Sequence, residues 1–508
     1  MTTKKENGAQ WILLIAVFCI ATCGLIYELV AGTLASYLLG DSVTQFSTII
    51  GTYLFAMGIG SFFSKYFNND ILKWFIKIEI LIGLIGGFSS ATLFLLFPLV
   101  VSFRLVLYVM VLITGVLVGL EIPLLMRILK DKIEFKDLVS KVFSFDYIGA
   151  LLASLIFPLI LVPHLGLIRT SLFFGIINIA VGWYLAHYFT AQIKQAGLIK
   201  AIAILALLVE VVAFVFSDNI MSYSESLTYR DNVVYATSSP YQRIVITKNK
   251  RELRLHLNGN LQFSSADEYR YHEALVHPAL SSVTDLKNVL VLGGGDGLAV
   301  REILKYPSVE KIQLVDLDAV MTKLFSTQEI LVKLNEGSLS NKKVTVKNED
   351  AFLWLTNCKQ KYDAVVVDFP DPSNFSIGKL YSTMFYDLLK KVINPGGVAV
   401  IQSTSPYVAP KSFWCINNTI RAAGFFTMPY HNYVPSFGEW GYIIASADSD
   451  RHWFVNYPAG LKFLNPAVMQ QMFVFPQDMQ YNKPVPANKL NNQVLVGYFE
   501  EEWDKYLD

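Results

Sequence analysis

The chain has 508 residues, several times the roughly 100–200 of a typical domain, so more than one folding unit is expected. Hydrophobic residues make up 53% and charged residues 16%, against about 25% charged in ordinary globular chains, and mean hydropathy is +0.41; disorder, a nucleic-acid-binding tail and an all-soluble chain are excluded. Net charge is +1, with 42 Lys+Arg against 41 Asp+Glu, which leaves no electrostatic case for DNA, RNA or a strongly acidic partner.

The apolar excess lies before about Ser217. Runs long enough for a bilayer span of roughly 20 residues are Trp11–Leu39, Ser47–Ser64, Ile71–Phe97, Leu99–Met126, Val142–Pro163, Leu165–Tyr188 and Ile199–Phe216. Residues 1–217 therefore read as a polytopic transmembrane helical domain of about seven helices, a multi-pass segment of the cell membrane with the lipid bilayer as partner. The first run is too long for a cleavable signal peptide. Lys4, Lys5, Lys65, Lys73, Arg127, Lys130, Lys132, Lys136, Lys141, Lys194 and Lys200 fall on one side of these runs, and Arg104 and Arg169 stand nearly alone on the other. The positive-inside rule then puts the N-terminus in the cytoplasm. Glu28, Glu79, Glu121, Asp146 and Glu210 fall within or at the ends of the runs. They mark either a site or pathway for a cationic solute or helix-to-helix hydrogen bonding. Cys19 and Cys23, two of four cysteines, sit in an apolar run without a His cluster, so neither zinc nor a disulfide framework is expected.

Beyond Asp218 the pattern is that of a soluble domain. Residues 241–247 and 252–257 alternate with period two and turn at Asn258-Gly259-Asn260, which predicts a small antiparallel sheet within residues 218–285. Residues 286–508 form the remaining domain. Val289–Leu292, Ile312–Leu317, Val344–Lys347, Ala364–Asp368 and Val398–Gln402 form a strand series with helix-compatible stretches between most of them. That order predicts an α/β, Rossmann-like doubly wound sheet of the kind that methyltransferases use, with ligands at the carboxyl ends of the strands.

The first strand of the series runs into Gly293-Gly294-Gly295-Asp296-Gly297. A glycine-rich strand-to-helix turn suits either a dinucleotide or an S-adenosyl ligand. Here Leu298 replaces the third glycine of a dinucleotide fingerprint, and Asp296 would repel a pyrophosphate but attract a sulfonium or an ammonium. Asp316 ends the next strand, the place for a carboxylate that binds ribose hydroxyls. Asp350 follows the third strand and reads equally as an adenine contact or as the N-cap of the helix that starts at Ala351. Asp368 and Asp371 stand three apart in a loop stiffened by Pro370 and Pro372. Such a pair can bind an ammonium and take its proton.

Taken together, Tyr241-Gln242, Asn258-Gly259-Asn260-Leu261-Gln262, Asp267-Glu268-Tyr269-Arg270-Tyr271-His272-Glu273, the glycine turn, Asp368-x-x-Asp371-Pro372 and Gln402-Ser403-Thr404-Ser405-Pro406 resemble the aminopropyltransferases, the spermidine synthase family, over about residues 241–446. The whole chain is similar to the membrane-bound bacterial type. The resemblance implies transfer of the aminopropyl group of decarboxylated S-adenosylmethionine to putrescine or a related amine, with methylthioadenosine released. It implies Gln242, Gly293, Gly295, Asp316, Asp350 and Ala351 at the nucleoside, and His272, Asp296 and Gln262 on the amine side. Asp368 is then the general base, with Tyr271 and Asp371 orienting the amine. No metal and no cofactor beyond the co-substrate is implied, nor any nucleic acid; a homodimer or homotetramer is. Two departures stand out: Ser373-Asn374-Phe375-Ser376 follows Pro372 where the family has a Gly-Pro segment, and Trp440-Gly441-Tyr442 carries no acceptor signature.

Two other readings are open: an S-adenosylmethionine-dependent methyltransferase, and a membrane polyamine transporter or sensor whose soluble half only binds. Because the nucleoside substrate is made in the cytoplasm, the catalytic domain is expected there. That requires one apolar run to be miscounted, either a broken Trp11–Leu39 or a non-spanning Ser47–Ser64.

Overall fold

A computed structural model describes residues 2–39, 42–100, 102–130, 134–229, 231–449 and 457–507; Lys132 of the expected basic loop lies outside them. The chain divides into two compact units, Met1–Val233 and Val234–Asp508.

The first unit consists of eight helices, α1 Thr2–Leu39, α2 Ser42–Phe63, α3 Ile71–Leu96, α4 Phe103–Leu129, α5 Phe135–Ile156, α6 Val162–Tyr188, α7 Ala196–Val215 and the short α8 Ser217–Thr228. Six helical stretches among the described residues are long and apolar enough to cross a membrane. One of them, Phe135–Tyr188, has 54 residues, about 80 Å of helix against a hydrocarbon core of about 30 Å. It folds back on itself. Pro158 lies in a π-helical turn over residues 157–161, and Gly166 has non-helical angles (φ 70°, ψ −179°).

Contacts along α1 show the reversal. Trp11 meets Phe145, and Gly149 packs on Phe18 and Thr22, so α5 runs with α1. Tyr188 Oη lies beside Gly8, and Cys23 Sγ lies 3.7 Å from the Phe174 carbonyl oxygen, so α6 runs against it. The stretch therefore folds as two antiparallel helices, each of membrane-spanning length. α1 is one unbroken helix of 38 residues and α2 a helix of 22. Small residues let these helices approach closely; a Cβ on Gly60 or Gly119 would meet the facing backbone at 2.0 or 2.2 Å. Outward residues such as Leu54, Phe55, Leu151, Leu205 and Leu208 are exposed, as a lipid-facing surface requires.

The second unit holds two sheets. β1 Asn232–Ser238, β2 Arg243–Lys248, β3 Leu253–Leu257 and β4 Asn260–Ser264 form a four-stranded sheet in sequential order. After α9 Glu268–Leu280 comes a seven-stranded sheet. Its strands are β5 Asn288–Gly293, β6 Lys311–Asp316, β7 Val344–Asn348, β8 Tyr362–Asp368, β9 Ile393–Gln402, β10 Phe426–Val434 and β11 Gly438–Ser446, in the order β10-β11-β9-β8-β5-β6-β7. The five strands β5–β9 are parallel to their neighbours, and β10–β11 is an antiparallel hairpin on the β9 edge. The helices are α10 Leu298–Ile303, α11 Ala319–Thr327, α12 Glu329–Leu334, α13 Ala351–Asn357, α14 Phe375–Gly378, α15 Thr383–Val392, α16 Pro410–Ala422, α17 Pro466–Met472 and α18 Val494–Leu507.

Alternation along the strands supplies both faces of the sheet. Val289, Val291, Leu314 and Val366 belong to one core, and Leu290, Leu292, Val315 and Val367 to the other. The chain winds from β5 outward to β7, then crosses back to β8 on the other side of β5. That reversal opens a crevice at the carboxyl ends of β5 and β8, where doubly wound sheets bind ligands.

Candidate active site

The crevice is closed from below by glycines. Gly293 ends β5 at φ 81°, and a Cβ there would lie 2.2 Å from the Asp368 carbonyl oxygen. A Cβ on Gly295 would strike the Asp316 carboxylate at 2.7 Å. Without side chains the turn brings backbone and three carboxylates together. The Gly295 N–H donates to Asp316 Oδ2 at 3.0 Å, the Asp318 N–H donates to its Oδ1 at 2.8 Å, and the Leu298 N–H donates to Asp296 Oδ1 at 2.8 Å. Burial pushes the Asp316 carboxyl up to about 6, against the pull of those amides. Gln242 reaches this side through a residue the sequence reading passed over. Its Nε2 donates at 2.9 Å to Asp318, which also accepts from Ser239 and caps α11. Asp-x-Asp at 316–318 was the available signal.

Asp350 caps α13, accepting from the Phe352 and Leu353 amides at 2.8 and 3.2 Å, and pairs with Lys379 at 2.7 Å. Burial raises this carboxyl, but the Lys379 ammonium outweighs it and the net shift is downward. Of the two readings of Asp350 the cap is formed here; Ala351 is the buried first residue of the helix behind it.

Asp368 ends β8. Tyr271 Oη, on α9, donates to its Oδ1 at 2.6 Å, and burial pushes the carboxyl up to about 6, partly offset by the nearby His272. Asp371 accepts from Gln402 Nε2 at 2.9 Å and Thr404 Oγ1 at 3.1 Å, and burial pushes it also up to about 6. Thr404 is held at φ 56°, the left-handed region that a β-branched residue adopts only under constraint. Its amide bonds Gln402 Oε1, and its carbonyl accepts from Gly441 at 2.7 Å. Tyr381 donates to Gln402 and to the Pro370 carbonyl. The Tyr442 and Phe437 rings lie tilted at 5.6 and 6.4 Å from Tyr271, and Trp440 lies 5.3 Å from Phe437. These aromatics border the carboxylates and suit a cation with an apolar stem. Long-range pairing brings them in, so no local pattern announced them.

His272 lies against Glu268 on α9. It is 3% exposed, with Nδ1 at 2.8 Å from Glu268 Oε2. Burial opposes its charge, but the Glu268 contact prevails and holds the imidazolium up to about 9. Its charge lowers the neighbouring Asp296 and Asp368 carboxyls against the effect of their burial. Behind it Arg301 forks onto Glu268 with two bonds of 2.9 Å and pairs with Glu302, which also holds His277 and Lys305. Gln262 bonds only the Asn260 and Leu261 carbonyls of its own strand, at 3.4 and 3.5 Å. Nothing ties it to the Asp368 cluster. Among the described residues no group of His, Cys, Asp or Glu is arranged to hold a metal ion.

Phenylalanine at 271 removes the hydroxyl from Asp368 and keeps the ring. A hydrogen bond to a charged group contributes about 1.5 kcal/mol at the lower end, so Tyr271→Phe should lower turnover about tenfold. The same loss destabilises the carboxylate form, so the acid limb of the pH–rate profile should move upward. A limb that stays in place with a normal rate would remove Tyr271 from the site.

The spermine/spermidine synthase domain family matches residues 268–456. A polyamine aminopropyltransferase of Leptospira interrogans is 53% identical over 499 residues, covering 98% of this chain and 100% of that protein. Polyamine aminopropyltransferase 2 of Ralstonia nicotianae is 54% identical over 516 residues (99% and 100%). Polyamine aminopropyltransferase 1 of Streptomyces coelicolor is 41% identical over 513 residues (98% and 96%). A crystal structure of spermidine synthase in complex with the transition state analogue AdoDATO aligns with TM-score 0.45 and 26% identity, covering 48% of this chain and 85% of that one. The named relatives match through the helical half as well as the sheet.

Proposed function

The chain belongs to the polyamine aminopropyltransferases, and from that premise we propose that unit 2 moves the aminopropyl group of decarboxylated S-adenosylmethionine to putrescine or a related amine. The observation that carries the assignment of roles is Asp368: a carboxylate at the switch point, hydrogen-bonded by Tyr271 at 2.6 Å and adjoining the glycine turn.

The acceptor arrives as an ammonium with a pKa near 10, like Lys, and has no lone pair until it loses a proton. Asp368 takes that proton. The freed nitrogen attacks the propyl carbon next to the sulfonium, the new C–N bond forms as the C–S bond breaks, and the sulfur leaves as the neutral thioether of methylthioadenosine. The second proton on nitrogen keeps the product an ammonium. Asp371, fixed by Gln402 and Thr404, orients the amine, and Asp316 with the Gly293–Gly295 turn faces the nucleoside. No metal or redox cofactor enters this scheme.

Incubation of the purified full chain with decarboxylated S-adenosylmethionine and a panel of amines should give the aminopropylated amine and methylthioadenosine in equal amounts by mass. Methyl transfer from ordinary S-adenosylmethionine, with no aminopropyl product from any amine, would overturn the reading.

The base must be ionised to act. With Asp368 and Asp371 both up to about 6, the acid limb of kcat/KM should fall as pH drops through about 6, not through the ordinary aspartate range near 4. A limb near pH 4 would show that burial does not raise the base, which would then titrate like an exposed aspartate.

Access to a nucleoside substrate made in the cytoplasm supports a cytoplasmic catalytic unit, against an odd number of membrane-length helices and the basic residues on the N-terminal side, which favour the opposite face. A one-sided reporter fused after Asp508 tests it; activity on the outer face would reject it. The homo-oligomer that the family resemblance implies is tested by the mass of the detergent-solubilised chain.

A further inference from the structure

Unit 1 encloses a cavity of about 140 Å³ whose wall includes Glu28 of α1, Glu121 of α4 and Asp146 of α5, with Val118, Phe75 and Leu125 among its apolar residues. Glu28 is 9% exposed and Glu121 4% exposed. Among the described residues neither has a lysine, arginine or histidine partner. Glu121 touches only another acid, the carboxyl of Glu79 on α3. Glu79 is fully buried and held by Asn178 at 3.1 Å, and both carboxyl oxygens of buried Glu210 lack a partner. Two carboxyls in contact cohere only through a proton or a cation between them, and unpaired carboxyls in a bundle are costly enough to imply a function.

The acids stand at different heights. Gly24 of α1 meets Val118 of antiparallel α4, so Glu121 falls level with α1 about three residues below Gly24, roughly 10 Å along the axis from Glu28. Such a spread is wrong for a metal ion, which needs converging ligands, and no converging group exists among the described residues. It suits an elongated cation with charge at both ends and hydrocarbon between. A cavity of about 150 Å³ accepts benzene, and a four-carbon diamine has the same number of non-hydrogen atoms. Its nitrogens lie roughly 6 Å apart across five bonds of about 1.5 Å, and a charge-assisted hydrogen bond of about 2.8 Å at each end brings it to the scale of the column.

We infer that unit 1 holds a second amine site, in which Glu28 and the Glu121–Glu79 pair bind the two ammonium ends of a short linear α,ω-diamine. The choice of a diamine rests on the functional reading above; the unpaired anionic cavity does not. The site is separate from the acceptor site at Asp368.

Equilibrium dialysis of labelled butane-1,4-diamine against the full chain in lipid nanodiscs tests it. Two diamines should bind per unaltered chain, with butylamine at least tenfold weaker at the second site. Glu28→Gln and Glu121→Gln, made separately, should each leave one diamine bound and the aminopropyl-transfer rate within twofold, which also reports a folded chain. One diamine per chain with normal transfer, unaffected by either substitution, would overturn the inference, as would displacement of the second diamine by an equal concentration of sodium. If the unaltered chain transfers nothing yet binds one diamine that Glu121→Gln removes, the functional reading falls and this site stands.

Discussion

Asp368→Asn should reduce turnover by about 10²–10⁴, the usual contribution of a positioned general base, while nucleoside affinity stays within a few-fold. The amide keeps the shape of the carboxylate and can still accept the 2.6 Å hydrogen bond from Tyr271 Oη. It cannot take a proton from an ammonium. The acceptor amine should bind more weakly as well, since a neutral amide replaces a carboxylate in a buried site. Raising the pH toward 10 supplies free amine in solution and should recover part of the lost rate, an effect that a merely misfolded variant would not show. Single-turnover rates and equilibrium binding of methylthioadenosine separate the two quantities. A normal rate in the variant would remove Asp368 from the chemistry, and loss of nucleoside binding in parallel with rate would make it a structural residue of the β8 end.

Much of this site was legible because its chemistry hangs on strand ends. Gly293–Gly297, Asp316, Asp350 and Asp368 each lie at or just past the end of a strand that is apolar or alternates with period two, and a parallel sheet delivers every such end to one edge. What was hidden depends on partners distant in sequence. Thr404 gains its role from Asp371 and from β11 through Gly441. Asp318 gains its role from Gln242 and Ser239, more than 70 residues earlier. The setting of His272 was hidden in the same way: Glu268 holds it from behind and Arg301 holds Glu268, which only the packing of α9 on α10 reveals. In the membrane half, apolar run length located the long helices and separated Val142–Pro163 from Leu165–Tyr188; the contacts with α1 add the direction in which the chain turns back between them.

The same charges fix the choice of donor. Glu302 is held from behind by Arg301 and Lys305, whereas His272 and Arg301 stand against Glu268, Asp296 and Asp368, so the crevice side of the network carries an excess of negative charge. A sulfonium with an aminopropyl arm brings two positive charges to it. Ordinary S-adenosylmethionine adds a carboxylate at the end of that arm, facing Asp296, whose carboxyl is raised by burial and lowered in part by His272. Two like charges at roughly 5 Å in an effective dielectric of about 20 repel by about 3 kcal/mol, so the carboxylated compound should bind a few hundredfold more weakly than the decarboxylated one. Asp296→Asn retains the oxygen that accepts the Leu298 amide at 2.8 Å and removes the charge, and should narrow the ratio to within about tenfold by weakening the preferred ligand and admitting the other. Competition against bound methylthioadenosine measures both affinities without turnover. Equal affinities in the unaltered chain would show that Asp296 does not face the arm, and a large ratio left unchanged by Asp296→Asn would transfer the discrimination to the aromatic side of the crevice at Tyr271, Phe437 and Tyr442.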